Sequence, residues 1–169
     1  MHGANYRRGR GQAYTRKEYI KGKPQIKIAK FQGGKRGTYQ YRVQLSLNEK
    51  MQIRHMAIES TRLAANKTLE KTTGETGYYS RLRIYPHILL RENKQIATAG
   101  EDRISEGMRR SWGKATSLGA RVKHGQCIME LYVNGNDHLE AAKKALKGAC
   151  VKLAGTPSIT VLEWNKPSP

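Results

Sequence analysis

Asp137-His138-Leu139-Glu140-Ala141-Ala142-Lys143-Lys144-Ala145-Leu146-Lys147-Gly148-Ala149-Cys150-Val151-Lys152-Leu153 is the stretch on which the fold turns. Leu139, Ala142, Leu146, Ala149 and Leu153 recur at three- and four-residue steps, so one stripe of a helix is apolar. Asp137 stands where a cap is needed, Glu140 completes a capping box, and Gly155 ends the run. On both sides the period changes. Gln126 to Val133 before it, and Ser158-Ile159-Thr160-Val161-Leu162 after it, read as strands. A helix with one apolar stripe set between strands predicts helix-on-sheet packing.

Outward from this unit, Gln25 to Phe31 and Tyr39 to Leu47 alternate polar and apolar residues. Each reads as a half-buried strand, with Gln32 to Gly37 a flexible loop between them. Asn48 reads as the cap of a helix running to about Lys71, with Ile53, Met56, Ala57, Leu63 and Ala64 as its apolar face. Tyr79 to Tyr85, closed by Pro86, then His87 to Arg91 and Ala120 to Lys123, supply further strands. Strands cluster around two helices without strict alternation. The expected class is α+β, a two-layer α/β sandwich with two main helices on a mixed sheet. One domain, 25–169, would carry a basic arm, 1–24.

Charge narrows the function. The chain of 169 residues has 32 Lys+Arg against 13 Asp+Glu, a formal net charge of +19. Self-repulsion on that scale calls for a polyanionic partner. No run of about 18 apolar residues is present, so no membrane span is expected. The first residues lack the apolar stretch of a signal peptide, and Cys150 lies too far from the C-terminus for prenylation, so a cytoplasmic protein is expected. Cys127 and Cys150, flanked by apolar neighbours, read as reduced thiols, and two cysteines are too few for a zinc site. Nucleic acid becomes the leading partner.

The excess is uneven: residues 1–42 hold twelve Lys/Arg against one acid, Glu18. The arm interleaves rings and cations, with Arg7, Arg8, Arg10, Tyr14, Arg16, Lys17, Lys21 and Lys23 as its candidate RNA contacts. Arginine forks grip phosphates, and tyrosine rings stack on unpaired bases. The same segment has few apolar residues and cannot bury enough surface to order itself, so a disordered solubilising tail is the alternative. Lys35, Arg36, Arg54, Arg91, Lys94, Arg121 and Lys123 extend the candidate contacts along the domain.

A second candidate is the long loop 94–116, which shows no apolar period. Long loops inside compact domains are usually functional. Its glycines, Gly113 among them, let backbone approach a partner closely. Arg109 and Arg110 supply phosphate contacts, and Trp112 supplies a stacking plane. A disordered insertion, or a short helix docked through Met108 and Trp112, are the structural alternatives.

Catalysis has little to stand on. Glu101, Asp102 and Glu106 could suggest a metal, but Arg103 sits among them and no histidine neighbours them. No P-loop, dinucleotide fingerprint or nucleophile–base pattern occurs. No metal, cofactor or small-molecule substrate is implied. An RNA-processing enzyme using the acidic trio, and a free RNA chaperone, remain the rival readings.

Four segments resemble one family. They are Ala13-Tyr14-Thr15-Arg16-Lys17-Glu18-Tyr19-Ile20-Lys21-Gly22; Gln52-Ile53-Arg54-His55 with Ala64-Ala65-Asn66; Arg83-Ile84-Tyr85-Pro86-His87 through Leu90-Arg91-Glu92-Asn93-Lys94; and Asp102-Arg103-Ile104-Ser105-Glu106-Gly107-Met108-Arg109 with Gly119-Ala120-Arg121-Val122-Lys123. In this order they resemble the large-subunit ribosomal proteins called L-ten-e in archaea and eukaryotes and L-sixteen in bacteria, in the archaeal form. The resemblance implies an α/β-hammerhead core on large-subunit rRNA, near 5S rRNA and the peptidyl transferase centre, with neighbouring ribosomal proteins as further partners. It also implies that the loop, through Arg103, Met108, Arg109, Arg110, Trp112, Gly113 and Lys114, faces tRNA between the aminoacyl and peptidyl sites. Trp112 departs from the family's usual Phe, and Glu106 from its commoner Gln. A role in translation and late subunit assembly, without catalysis, follows from the same resemblance.

Overall fold

The computed structural model describes residues 1–9, 11–15, 18–94, 108, 109 and 111–167, with Lys166 described by its backbone alone. A 3-10 turn at Gly3–Asn5 opens the arm. In chain order follow β1 (Gln32–Gly34), β2 (Thr38–Leu47), β3 (Met51–Arg54), α1 (His55–Thr73), β4 (Tyr78–Leu82), β5 (Ile88–Glu92), β6 (Lys114–Val122), β7 (Gln126–Val133), α2 (Asn136–Cys150) and β8 (Pro157–Pro167). The class is α+β.

Two sheets form, one of five strands in the order β1-β4-β7-β2-β8 and one of three in the order β3-β6-β5. Every recorded pair is antiparallel, where the sequence reading expected one mixed sheet. The physical reason lies at β2. Strands β7 and β8 both pair antiparallel with β2, so they run parallel to each other with β2 between them. The helix α2 is the crossover that joins them, and it never creates a parallel ladder.

Alternation along β2 sends Val43, Leu45 and Leu47 inward, where Leu131, Met129 and helix residues Ala142, Ala145, Leu146 and Ala149 meet them. Small alanines let α2 approach both the sheet and α1, which it packs against. Each fully buried leucine contributes about 2 kcal/mol of burial. From α1 the core takes Ile58, Ala65 and Leu69, while Met56 and Leu63 stay exposed. The apolar face expected on Met56 and Leu63 is therefore not the buried one. Thr61 shares the buried side, its hydroxyl donating to the Ala57 carbonyl at 2.8 Å.

Several boundaries differ from the sequence reading. Residues 51–54, expected as helix, form edge strand β3, and α1 starts at His55 without a side-chain cap. Asn48 instead accepts a hydrogen bond from the Ser158 hydroxyl. The segment 25–31, expected as a strand, joins no ladder; Ile28 is buried, and the Phe31 carbonyl accepts from Leu82 N–H. Strand β1 lies in the supposed flexible loop, because Gly33 and Gly34 let it close on β4: a Cβ would stand 2.9 Å from the Ser80 hydroxyl at Gly33 and would overlap the Tyr78 carbonyl at Gly34. Strand β6 begins at Lys114, inside the stretch read as loop 94–116. Gly135, not Asp137, takes the cap position of α2, with a φ of 80° that suits glycine. Asp137 lies in the first turn, where its charge favours the helix dipole.

Candidate nucleic-acid interface

The three-stranded sheet exposes two edges, β3 and β5, with free backbone groups that need partners. The arm supplies them. The Arg7 carbonyl accepts from Gln52 N–H on β3 at 2.8 Å, and the Tyr14 carbonyl accepts from Leu89 N–H on β5 at 2.9 Å. Between these points the Gly11 carbonyl accepts from Arg121 Nη1 on β6 at 2.8 Å. The Met1 amine lies 3.0 Å from Glu92 on β5. The arm thus runs from β5 to β3 and back, and the expectation that it cannot order itself is corrected: the two sheet edges and Arg121 supply the partners that its own sequence lacks.

Three arginines expected at the RNA surface fasten this strap. Arg54 donates to the Ser117 hydroxyl at 3.2 Å and lies over the Tyr6 ring, 5.8 Å from its centroid. Arg121 reaches Gly11 and Gln52. Arg91 donates from Nε and Nη2 to the Gly113 carbonyl at 3.2 and 3.0 Å. Its guanidinium lies 5.7 Å from the Tyr14 ring centroid and 5.5 Å from that of Trp112. All three are half-buried.

The returning end of the loop sits beside the strap. Gly113 has a φ of 66°, and a Cβ there would meet the Glu92 backbone at 2.3 Å, so glycine alone fits. Trp112 and Met108 are 75% and 72% exposed, ring and thioether open to a partner. Arg109 and Lys114 are exposed as well. Arg10, Arg16, Lys17, Arg103 and Arg110 lie outside the described residues.

The remaining candidates are spread widely. Arg7 and Arg8 are exposed on the strap, Lys21 and Lys23 just beyond it, and Lys94 after β5. Lys35 and Arg36 stand on the turn between β1 and β2, where Arg36 Nη2 donates to Gln32 at 2.6 Å. Lys123 is exposed in the β6–β7 turn. The structure brings Tyr14, Arg54, Arg91, Trp112, Gly113 and Arg121 together on the three-stranded sheet and leaves the lysines at its periphery and beyond.

The sequence reading missed an ionic cluster on the other face of the five-stranded sheet. Glu130 is buried and accepts from Arg42 Nη2 at 2.8 Å, Gln44 Nε2 at 3.1 Å and the Tyr132 hydroxyl at 2.9 Å, with Arg83 at 3.6 Å. Arg42 also covers Trp164, 4.7 Å from its centroid, beside the buried rings of Tyr39, Tyr79 and Tyr132. Burial, then the Glu130 carboxylate, hold the Tyr132 hydroxyl well above the usual tyrosine range. The same two causes push the Cys127 thiol up to about 11. The available signal was the polar alternation of Arg42-Val43-Gln44 against Glu130-Leu131-Tyr132.

Among the described residues no group of three His, Cys, Asp or Glu is placed to hold a metal ion. Cations fixed on sheets, with rings beside them, suit a binding scaffold for a polyanion. Comparison with known proteins narrows that class. The family model described as "Ribosomal protein L16p/L10e" matches residues 9–160. A "Large ribosomal subunit protein uL16" of Staphylothermus marinus is 48% identical over 158 residues, covering 93% of this chain and 90% of its own. Proteins of the same description from Hyperthermus butylicus and Saccharolobus solfataricus are 46% and 49% identical, covering 90% and 89% of this chain and 84% and 86% of theirs. The chain belongs to the ribosomal protein L16p/L10e family, and it is a structural component rather than an enzyme.

Proposed function

We propose that this chain, a structural constituent of the large ribosomal subunit through its family, anchors on large-subunit rRNA by its arm and basic faces and presents its loop to tRNA. In this reading Arg7, Arg8, Lys21, Lys23, Lys35, Arg36, Lys94 and Lys123 neutralise rRNA phosphates, near 5S rRNA and the peptidyl transferase centre. Arg103, Met108, Arg109, Arg110 and Lys114 face tRNA between the aminoacyl and peptidyl sites. Trp112 and Gly113 set the base of that loop. The protein is ribosome-bound in the cytoplasm, against neighbouring ribosomal proteins, and joins the subunit late in assembly.

The strapped three-stranded sheet carries the reading. A segment rich in cations is held by its backbone carbonyls, which leaves Arg7 and Arg8 exposed, where phosphates would meet them. The loop returns into the same sheet through Gly113, so its base is fixed relative to the rRNA-binding surface. The family resemblance supplies the particle, the 5S neighbour and the tRNA. Photo-crosslinkers placed at Lys21, Lys35 and Arg109 test the assignment in ribosomes carrying the protein. Lys21 and Lys35 should crosslink to large-subunit rRNA and Arg109 to bound tRNA. Crosslinks from Arg109 that never reach tRNA would remove the loop's proposed role.

A further inference from the structure

The out-and-back course of the arm leaves a groove of about 1490 Å³ between itself and the three-stranded sheet. Tyr14, Arg91 and Trp112 line one end of it, and Arg7, Arg8 and Lys50 line it elsewhere. Glu49 is the carboxylate among its described lining residues, and it is engaged by the Thr156 hydroxyl. We infer that this groove is a binding site for an unpaired RNA strand, with a base on the Trp112 ring and the flanking phosphates on Arg7, Arg8 and Lys50. The inference deepens the rRNA-binding reading above and rests on it.

Two features favour a single strand over a duplex. Trp112 is 75% exposed, and Arg91 lies within 5.5 Å of its centroid, so the ring is held from the protein side and open on the other. A base can use that open plane only when it is free of its own helical stack. The cations are then set along a groove rather than on a convex face, and a groove tracks one backbone. Trp112, read from sequence as part of the tRNA-facing loop, thereby belongs to the rRNA side of its base.

The chain holds two tryptophans, Trp112 and Trp164, so Trp164→Phe leaves Trp112 as the one reporter. Purified full-length protein is titrated with a short single-stranded oligoribonucleotide and with a duplex of equal length. Salt is raised until the general phosphate attraction is weak. The single strand should quench Trp112 saturably and bind about tenfold or more tighter than the duplex. Tyr14→Ala should weaken the single strand several-fold and leave the duplex within twofold. Where Trp164→Phe misfolds, the quench lost between wild type and Trp112→Phe gives the same reading. Equal affinity for both RNAs, or bound single strand without a change in Trp112 emission, overturns the inference. A silent Trp112 in a protein still found in large subunits defeats the groove alone. A protein absent from those subunits defeats the rRNA reading itself.

Discussion

Arg91 on β5 holds the carbonyl of Gly113 with two N–H groups of one guanidinium, at 3.2 and 3.0 Å, and so clamps the end of the loop to the strand that precedes it. Twenty-two positions separate the two residues, and the intervening chain contains nearly all of the loop. The same planar group lies near Tyr14 of the arm and Trp112 of the loop. Lysine keeps the charge but has neither the fork nor the plane. Arg91→Lys should therefore cost about 1–2 kcal/mol of stability. Urea denaturation checks this, and a variant as stable as wild type would show that charge alone suffices.

Glycine substitutions should separate backbone strain from steric overlap. Gly113 and Gly125 have nearly the same φ, 66° and 70°, but a Cβ at Gly113 would meet the Glu92 backbone at 2.3 Å while one at Gly125 meets nothing within 4 Å. Gly125→Ala should cost about 1–2 kcal/mol, the left-handed conformation alone. Gly113→Ala should cost more, because rigid backbone must move as well. Thermal unfolding of the two variants side by side makes the comparison; equal losses would contradict it.

Glu130 is the buried hub for Arg42, Gln44 and Tyr132, with Arg83 close by. Glu130→Ala strands Arg42, which is itself half-buried, and should cost about 3 kcal/mol or more. Glu130→Gln retains an acceptor for the Tyr132 hydroxyl and should lose less. Chemical denaturation of both variants tests the order.

His55 is buried at the start of α1, and its Nδ1 accepts from Lys27 N–H at 3.3 Å. Burial, then the charges of Arg54 and Lys27, hold its pKa below the ordinary histidine value of 6.5. In the unfolded chain the ring takes a proton at a higher pH than in the fold. Its contribution to stability is thus fully present above pH 6.5 and is lost as pH falls through the lower, folded pKa. Melting temperatures followed from pH 8 to pH 5 should fall less for His55→Asn than for wild type. Parallel curves would show that His55 does not set this slope.

Helix α2 and the strands β2 and β7 are legible in the sequence because their periods are clean: α2 buries Ala142, Leu146 and Ala149 as its spacing requires, while the uneven stripe of α1 misplaces its buried face. Elements that failed to show were those where spacing is ambiguous or where a partner decides. Met51-Gln52-Ile53-Arg54 is too short to distinguish a strand from the first turn of a helix, and it becomes β3 by pairing with β6. Gly33-Gly34 has the composition of a loop, yet the two glycines are what admit β1 against Ser80 and the Tyr78 backbone. The candidate site was legible as residue types but not as roles. Arg54, Arg91 and Arg121 were expected to reach RNA, and their half-buried positions show them holding the arm and loop as well. Nothing local in the sequence marks which carbonyls the arm offers to β3 and β5. Glu130 is marked in the sequence only by its place in a polar alternation, which names no partner; its importance comes from the three strands that converge on it.

The most direct measurement is the distribution of this protein across a sucrose gradient of low-salt cell lysate, quantified against large-subunit rRNA. A structural constituent should cosediment with large subunits and whole ribosomes at one copy per subunit, with little protein at the top of the gradient. A protein that stays free, or that follows precursor particles at a small fraction of a copy, would contradict the account.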